Sequence, residues 1–347
     1  MTRIEHPLYQ KDLCDTAEYI QKKWEINRRI KILIIGATGL IGSFLVDALL
    51  YYNHHVRYQF DIYAMGRSIL RLKRRFSYAE SSIHLWEHDI NWPLKTDEDF
   101  DYIFHLASNA DPGKYALYPF ETITTNILGS VNVINYAKEH LNSKILFTSS
   151  MESYGENDGR NLCETDYGRI NHNNIRSGYP ESKRISELLY RSAVKEYGIA
   201  VYIARLGYIY GPTMIDDDNK VVAEFIRAAV NKKDILLKSE GTQRRTYCYV
   251  ADAVCGMLML MVSGIVGEVY NIADKKSLIT IRQLGEIISE KFGVRLIMKY
   301  EIDAKKKTID KTDMILNMDK IEKLGWKAKT EIAEGINKTV RILREEE

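Results

Sequence analysis

The sequence predicts an α/β fold, a doubly wound parallel sheet with a smaller mixed α/β lobe, and three observations predict it. Ile32-Leu33-Ile34-Ile35, after Lys31, is apolar and largely β-branched, as a buried parallel strand is. Gly36, Gly39 and Gly42 follow at G-x-x-G-x-x-G spacing, and Phe44-Leu45-Val46 then opens a helix. Further along, short apolar runs alternate with amphipathic stretches, the pattern of a parallel sheet covered by helices on both faces.

The elements follow in order. Residues 1–30 carry Pro7, mixed charge and a few large apolar residues including Trp24, and read as an N-terminal arm, helical from Asp12 to Lys23. Asp61–Met65 is the second strand, Tyr102–Leu106 a later one, Thr125–His140 a helix and Lys144–Thr148 the next strand. Tyr179–Tyr197 is helical, with Ile185, Leu188 and Leu189 on one face, and Val201–Arg205 is a strand. Beyond Gly211-Pro212 the pattern turns mixed and more charged. This organisation gives a Rossmann-type dinucleotide domain over residues 31–205 plus about 245–273, and a substrate lobe over about 206–244 plus 274–347.

Composition narrows the function. The chain has 347 residues, is 45% hydrophobic and 28% charged, and suits a globular protein with a substantial core. A net charge of +2 gives no reason to expect nucleic acid or an anionic membrane as partner. The basic run Arg71–Arg75 reads as a solvated face. Cys14, Cys163, Cys248 and Cys255 form no C-x-x-C pair and have no metal-ligand spacing, so neither a disulfide framework nor a metal is expected, and a cytoplasmic location is. The apolar run Ala253–Val262 is too short to span a bilayer, and no signal peptide is visible.

Three segments carry chemistry. The glycine turn lays a dinucleotide pyrophosphate on a helix N-terminus, because glycine lets the turn close and the backbone approach the phosphates. In Tyr179-Pro180-Glu181-Ser182-Lys183 the tyrosine and lysine lie four apart on one helical face. An ammonium there favours the phenolate, which can take a proton from a sugar hydroxyl while hydride leaves the same carbon. Phe147-Thr148-Ser149-Ser150-Met151-Glu152 ends a strand in hydroxyls, at the crevice where such sheets bind ligands.

Together these segments resemble the extended short-chain dehydrogenase/reductase superfamily, the NAD-dependent nucleotide-sugar epimerases and dehydratases, from about Lys31 to Trp326. The chain is most similar to the UDP-glucuronate decarboxylase branch. The similarity runs through Phe104-His105-Leu106-Ala107-Ser108 with Pro112, Tyr115 and Pro119, Arg176 and Arg184 about the Tyr179/Lys183 pair, Gly211-Pro212-Thr213-Met214 with Val221-Val222 and Phe225-Ile226, and Arg245–Asp252. The resemblance implies that Gly36, Thr38, Gly39, Leu40, Ile41 and Gly42 hold the pyrophosphate end of the cofactor. Asp89 with Ile90 would lie at adenine, and Leu106, Ala107, Ser108 and Asn126 would line the cofactor. Ser150 would share the sugar 4-hydroxyl with Tyr179, Lys183 would hold the nicotinamide ribose, and Glu152 would sit near C5. Met151, Arg176, Tyr208 and Arg245 would meet the substrate, Arg245 at its diphosphate or a nearby anionic group. A homodimer through Thr125–His140 and Tyr179–Tyr197 is also implied.

Four departures bear on this. Tyr208 stands where the superfamily usually has asparagine, and Thr213 where the G-P-R arginine stands. Met151 replaces the aspartate of 4,6-dehydratases and cannot donate a proton to a departing 6-hydroxyl. Decarboxylation suffers less, since a 4-keto-uronate is a β-keto acid. Last, Ala64-Met65-Gly66-Arg67-Ser68 lacks the usual strand-end aspartate for the ribose, so NAD comes from the resemblance, and NADP stays open through Arg67. The expected function is NAD-dependent modification of a nucleotide-activated sugar through a 4-keto intermediate, decarboxylation of UDP-glucuronate first. The alternatives are an epimerase or variant dehydratase, an NADPH-dependent ketone reductase, and a non-catalytic cofactor-binding protein.

Overall fold

In the computed structural model, residues 1–25, 27–299 and 313–345 are described. The chain begins with helix α1 (Pro7–Lys23), then β1 (Ile30–Ile35), α2 (Leu40–His55), β2 (Phe60–Gly66), α3 (Ile69–Arg75), β3 (His84–Glu87) and β4 (Tyr102–His105). Helices α4 (Pro112–Leu117) and α5 (Pro119–Glu139) lead to β5 (Lys144–Ser150), a short β6 (Asn161–Leu162), α6 (Gly178–Tyr197), β7 (Ala200–Leu206) and β8 (Tyr208–Tyr210). There follow α7 (Val221–Val230), β9 (Ile235–Leu237), β10 (Arg244–Tyr249), α8 (Val250–Ser263), β11 (Val269–Ile272), β12 (Leu278–Thr280) and α9 (Ile281–Phe292). The last elements are β13 (Leu296–Met298), β14 (Ile315–Leu316), α10 (Asp319–Glu322) and α11 (Ile332–Glu345).

Seven parallel strands form the central sheet in the order β11-β7-β5-β4-β1-β2-β3. The order reverses between β1 and β4, so a crevice opens at the carboxyl ends of those two strands, where doubly wound folds bind ligands. Alternation along β1 serves both faces. Ile32 and Ile34 join a core with Phe44 and Leu45 of α2 and Met257 of α8, whereas Leu33 and Ile35 join one with Val133 of α5 and Tyr190 of α6. A third core unites Phe225 of α7, Leu284 and Ile288 of α9, Ile336 and Val340 of α11 and the tyrosines of β8 and β10. It lies against a three-stranded sheet ordered β12-β10-β8.

Several helices begin earlier than expected, and proline explains two of them. Helix α1 starts at Pro7, five residues before Asp12, because proline fits the first helical position and His6 accepts from the Leu8 amide at 3.1 Å. Helix α5 starts at Pro119 rather than Thr125 for the same reason. Helix α2 starts at Leu40 instead of Phe44, with Gly42 inside its first turn. Residues 7–23 are firmly packed: Tyr9, Leu13 and Ile20 are buried in the main core. Asp12 accepts from Tyr249 at 2.6 Å and pairs with Lys338 of α11 at 2.9 Å, tying α1 to β10 and to the C-terminal helix.

Candidate active site

The cofactor side is built from backbone. Gly36 has φ +89°, a left-handed conformation that glycine adopts without steric cost, and the Gly36 and Ala37 amides both donate to Met65 at the end of β2. A Cβ at Gly36 would come within 2.8 Å of the Ala107 nitrogen, and one at Gly42 within 2.4 Å of the Gly36 carbonyl. Gly39 caps α2 without any side-chain hydrogen bond, so the amides of the first turn face outward beside half-buried Thr38, Leu40 and Ile41. A narrow glycine-walled turn under an uncapped helix N-terminus fits the pyrophosphate of a dinucleotide.

The remaining cofactor candidates follow the carboxyl ends of β2, β3 and β4 or lie on α5. The Leu106 amide donates to Ile35, and the Ser108 hydroxyl donates to Asn126 at 2.8 Å. The Asn126 amide donates to Ser182 at 2.8 Å, and Ser182 donates to the Tyr179 carbonyl, so a polar chain links the β4 end to the helix bearing Tyr179. Asp89 is half-buried and accepts from the Asn91 amide, while Ile90 is buried with its carbonyl on Asn132. Arg67, just past β2, is exposed and paired with Glu121 at 2.6 Å.

At the chemical centre Tyr179 lies in the first turn of α6, buried, with Tyr115 stacked on it at 4.9 Å and 6° between ring planes. The Tyr115 hydroxyl donates to both Glu152 oxygens, at 3.3 and 3.2 Å, and Arg176 lies 5.6 Å over its ring. Ser150 caps the turn that carries Met151 and Glu152, accepting from the Glu152 amide at 3.2 Å. Burial pushes the Glu152 carboxyl up, against the opposing pull of Tyr115, Arg176, Arg245 and Lys220.

The lysine effect expected on Tyr179 is not what dominates. Burial and the Glu152 charge push the phenol well above its usual range, while the Ser150 and Ser108 hydroxyls pull it down. The Lys183 ammonium instead donates to the Thr148 carbonyl at 2.8 Å and sits 4.8 Å over Phe147. Burial lowers its pKa to about 7, opposed by Glu187.

The substrate side gathers distant segments. Thr213 donates to the Leu40 carbonyl at 2.7 Å, docking the Gly211–Met214 segment on the first turn of α2. Asp111 bonds the amides of Gly113, Lys114 and Asn219, drawing α4 to the same segment's continuation. Tyr208 and Arg245 meet, the guanidinium carbon 4.4 Å from the ring centre. Sequence reasoning gave no role to Tyr115 or Lys220. Tyr115 lay inside a quoted motif, whereas Lys220 carried no signal beyond preceding Val221-Val222.

Comparison with known proteins agrees with this architecture. Residues 32–273 match the model of the NAD dependent epimerase/dehydratase family. The chain is 33% identical over 310 residues to UDP-glucuronic acid decarboxylase 5 of Arabidopsis thaliana, covering 88% of this chain and 87% of that protein. It is 30% identical to UDP-glucuronic acid decarboxylase 1 of Xenopus tropicalis, covering 92% and 73%. Among solved structures, UDP-glucose 4-epimerase of Thermotoga maritima superposes with a TM-score of 0.76 at 25% identity, covering 91% of this chain and 99% of that one. The UDP-N-acetylglucosamine 4-epimerase of Methanobrevibacter ruminantium reaches 0.79 at 22% identity, covering 92% and 100%. This chain therefore belongs to the NAD-dependent epimerase/dehydratase family. It is similar in sequence to UDP-glucuronic acid decarboxylases and shares its fold with nucleotide-sugar epimerases and dehydratases.

Proposed function

We propose that this protein, with NAD bound, oxidises C4 of UDP-glucuronate and releases carbon dioxide from the 4-keto product, leaving a UDP-4-keto-pentose or UDP-xylose. One observation carries the choice of substrate: Arg176 lies over the Tyr115 ring whose hydroxyl donates to buried Glu152, and Arg245 lies on Tyr208, so two guanidiniums border the site, an arrangement suited to a sugar that is itself anionic. The 33% identity to a UDP-glucuronic acid decarboxylase supports it.

Bound NAD would supply the hydride acceptor, with Gly36, Gly39 and Gly42 against its pyrophosphate. Tyr179 takes the 4-hydroxyl proton, and Ser150 orients that hydroxyl from the adjacent strand end. The position of Tyr179 in the first turn of α6 favours its anion through the helix dipole, which offsets part of the cost of burial. Arg176 or Arg245 holds the carboxylate until the bond to C5 breaks; its electron pair passes into the 4-keto group, and protonation at C5 follows. Met151 is buried and offers no proton, so loss of a 6-hydroxyl lacks its acid there.

Epimerisation or a variant dehydration is the second reading, favoured by Tyr208 and Thr213 at the substrate end. Carboxyl-labelled UDP-glucuronate decides between them. Release of labelled carbon dioxide is expected; conversion of a neutral hexose nucleotide without label release overturns decarboxylation. We further propose a homodimer through α5 and α6, whose outer faces expose Phe120 (80%), Leu128 (44%), Ile185 (44%) and Leu188 (66%). Among the described residues no helix is long and apolar enough to cross a membrane, and all four cysteines are free, as a reducing cytoplasm would keep them.

A further inference from the structure

We infer that Tyr208 is a positioning residue for Arg245, and that the stacked pair, rather than the arginine alone, grips the anionic oxygens of the substrate. The inference rests on the sugar-nucleotide reading above and adds how this chain builds its grip.

Strands β8 and β10 run parallel with Tyr208 opposite Tyr247 and Tyr210 opposite Tyr249. Alternate residues of a strand share a face, so Arg245 lies on the same face as Tyr247 and Tyr249, diagonal to Tyr208. The rings form a continuous row: Tyr208 to Tyr247 at 5.7 Å, Tyr247 to Tyr210 at 6.4 Å, Tyr210 to Tyr249 at 5.7 Å. Tyr249 is anchored on Asp12 at 2.6 Å, so the row is fixed at its far end. Arg245 stands at the near end with its guanidinium 4.4 Å from the Tyr208 ring centre.

A guanidinium lying on an aromatic face keeps its N–H groups directed outward in a fixed fork, which suits a phosphate or carboxylate. Arg245 has donors to offer. Its Nη2 donates to Gln243 at 3.2 Å, while its Nε is buried without a hydrogen-bond partner. Leu206, two residues before Tyr208, pairs with Ser150 in the central sheet, so the pair borders the chemical centre. Tyr208 thus does not substitute for an amide donor; it fixes where a neighbouring cation points.

The test is a double-mutant cycle read by calorimetric titration with two probes, UDP and UDP-glucuronate. Holding a long side chain in its binding pose before the ligand arrives corresponds to roughly fivefold to tenfold in affinity. Tyr208→Ala is expected to weaken binding by that factor, but by less than about threefold in the Arg245→Ala background. Tyr208→Phe, which keeps the ring, restores most of the affinity, and thermal melting of each variant verifies that it is folded. Weakening with both probes assigns the gripped oxygens to the diphosphate; weakening with UDP-glucuronate alone assigns them to the carboxylate. Equal losses from Tyr208→Ala in both backgrounds, or a Tyr208→Phe loss as large as that of Tyr208→Ala, overturn the positioning role. A wild-type protein that binds neither probe overturns the UDP-sugar reading itself, and the grip with it.

Discussion

The cofactor side of the site is walled by backbone from one continuous stretch, residues 36–42, together with the end of β4; the substrate side is walled by side chains from segments far apart in sequence. On the first side the tolerances are those of main-chain atoms, as the 2.4 Å approach of a Cβ at Gly42 to the Gly36 carbonyl illustrates. On the second, Tyr115, Glu152, Arg176, Tyr208 and Arg245 reach one another through ring stacking, hydrogen bonds and charge. A backbone-built wall admits few sequences and stays recognisable. A side-chain wall can be rebuilt residue by residue, which is how Tyr208 and Thr213 can occupy positions where other residues were expected.

The largest expected effect lies where the two sides meet. Tyr179→Phe removes only a hydroxyl, and kcat is expected to fall ~10²–10⁴-fold with substrate affinity nearly kept. Rates within a few-fold of wild type in steady-state assays would take Tyr179 out of the proton transfer. Lys183→Met comes next. Its buried ammonium has a pKa of about 7 against 10.5 when free, so the unfolded chain binds more protons between those values and stability rises with pH across that window. Removing the amine should therefore raise stability, by up to a few kcal/mol at pH 6 and by progressively less toward pH 10, while activity is lost. Melting curves at pH 6 and pH 9 measure this, and a gain independent of pH would contradict the buried-ammonium cost.

Gly42→Ala sharpens the backbone half of the comparison. The added methyl meets main-chain atoms that cannot swing away, and a loss of about 1–3 kcal/mol in denaturant unfolding is expected, with weakened NAD binding. Wild-type stability would mean that the turn is less tightly walled than its geometry implies. The smallest effect belongs to Arg67→Ala. The Arg67–Glu121 pair is exposed, so stability should change by less than about 1 kcal/mol, while NADP binding falls more than NAD binding. Equal loss for both dinucleotides would assign Arg67 to adenine rather than to a 2′-phosphate.

Legibility in the sequence follows the same division. The strand–glycine–helix unit and the alternation of strands were readable because period and glycine spacing are local properties. The starts of α1 and α5 lie earlier than the apolar pattern places them, because Pro7 and Pro119 each occupy the first helical position. The Tyr179/Lys183 spacing was readable, but the Lys183 contact to Thr148 depends on how α6 lies on β5 and has no local signature. Tyr208 was visible only as a missing asparagine; its contact with Arg245 arises from the register of β8 on β10, which the sequence does not spell out.

Asp12 has a consequence for how the chain is made. This nearly buried carboxylate is held by Lys338, 326 residues further on, and by Tyr249, 237 residues further on. During synthesis α1 therefore emerges long before either partner exists, and an unpaired buried charge is costly. The ion pair of the first helix can form only after the last helix has left the ribosome. Nascent chains halted before residue 338 keep the α2 and α8 surfaces on which α1 packs but lack the Lys338 ammonium, so α1 should be less protected from proteases in them than in the full chain.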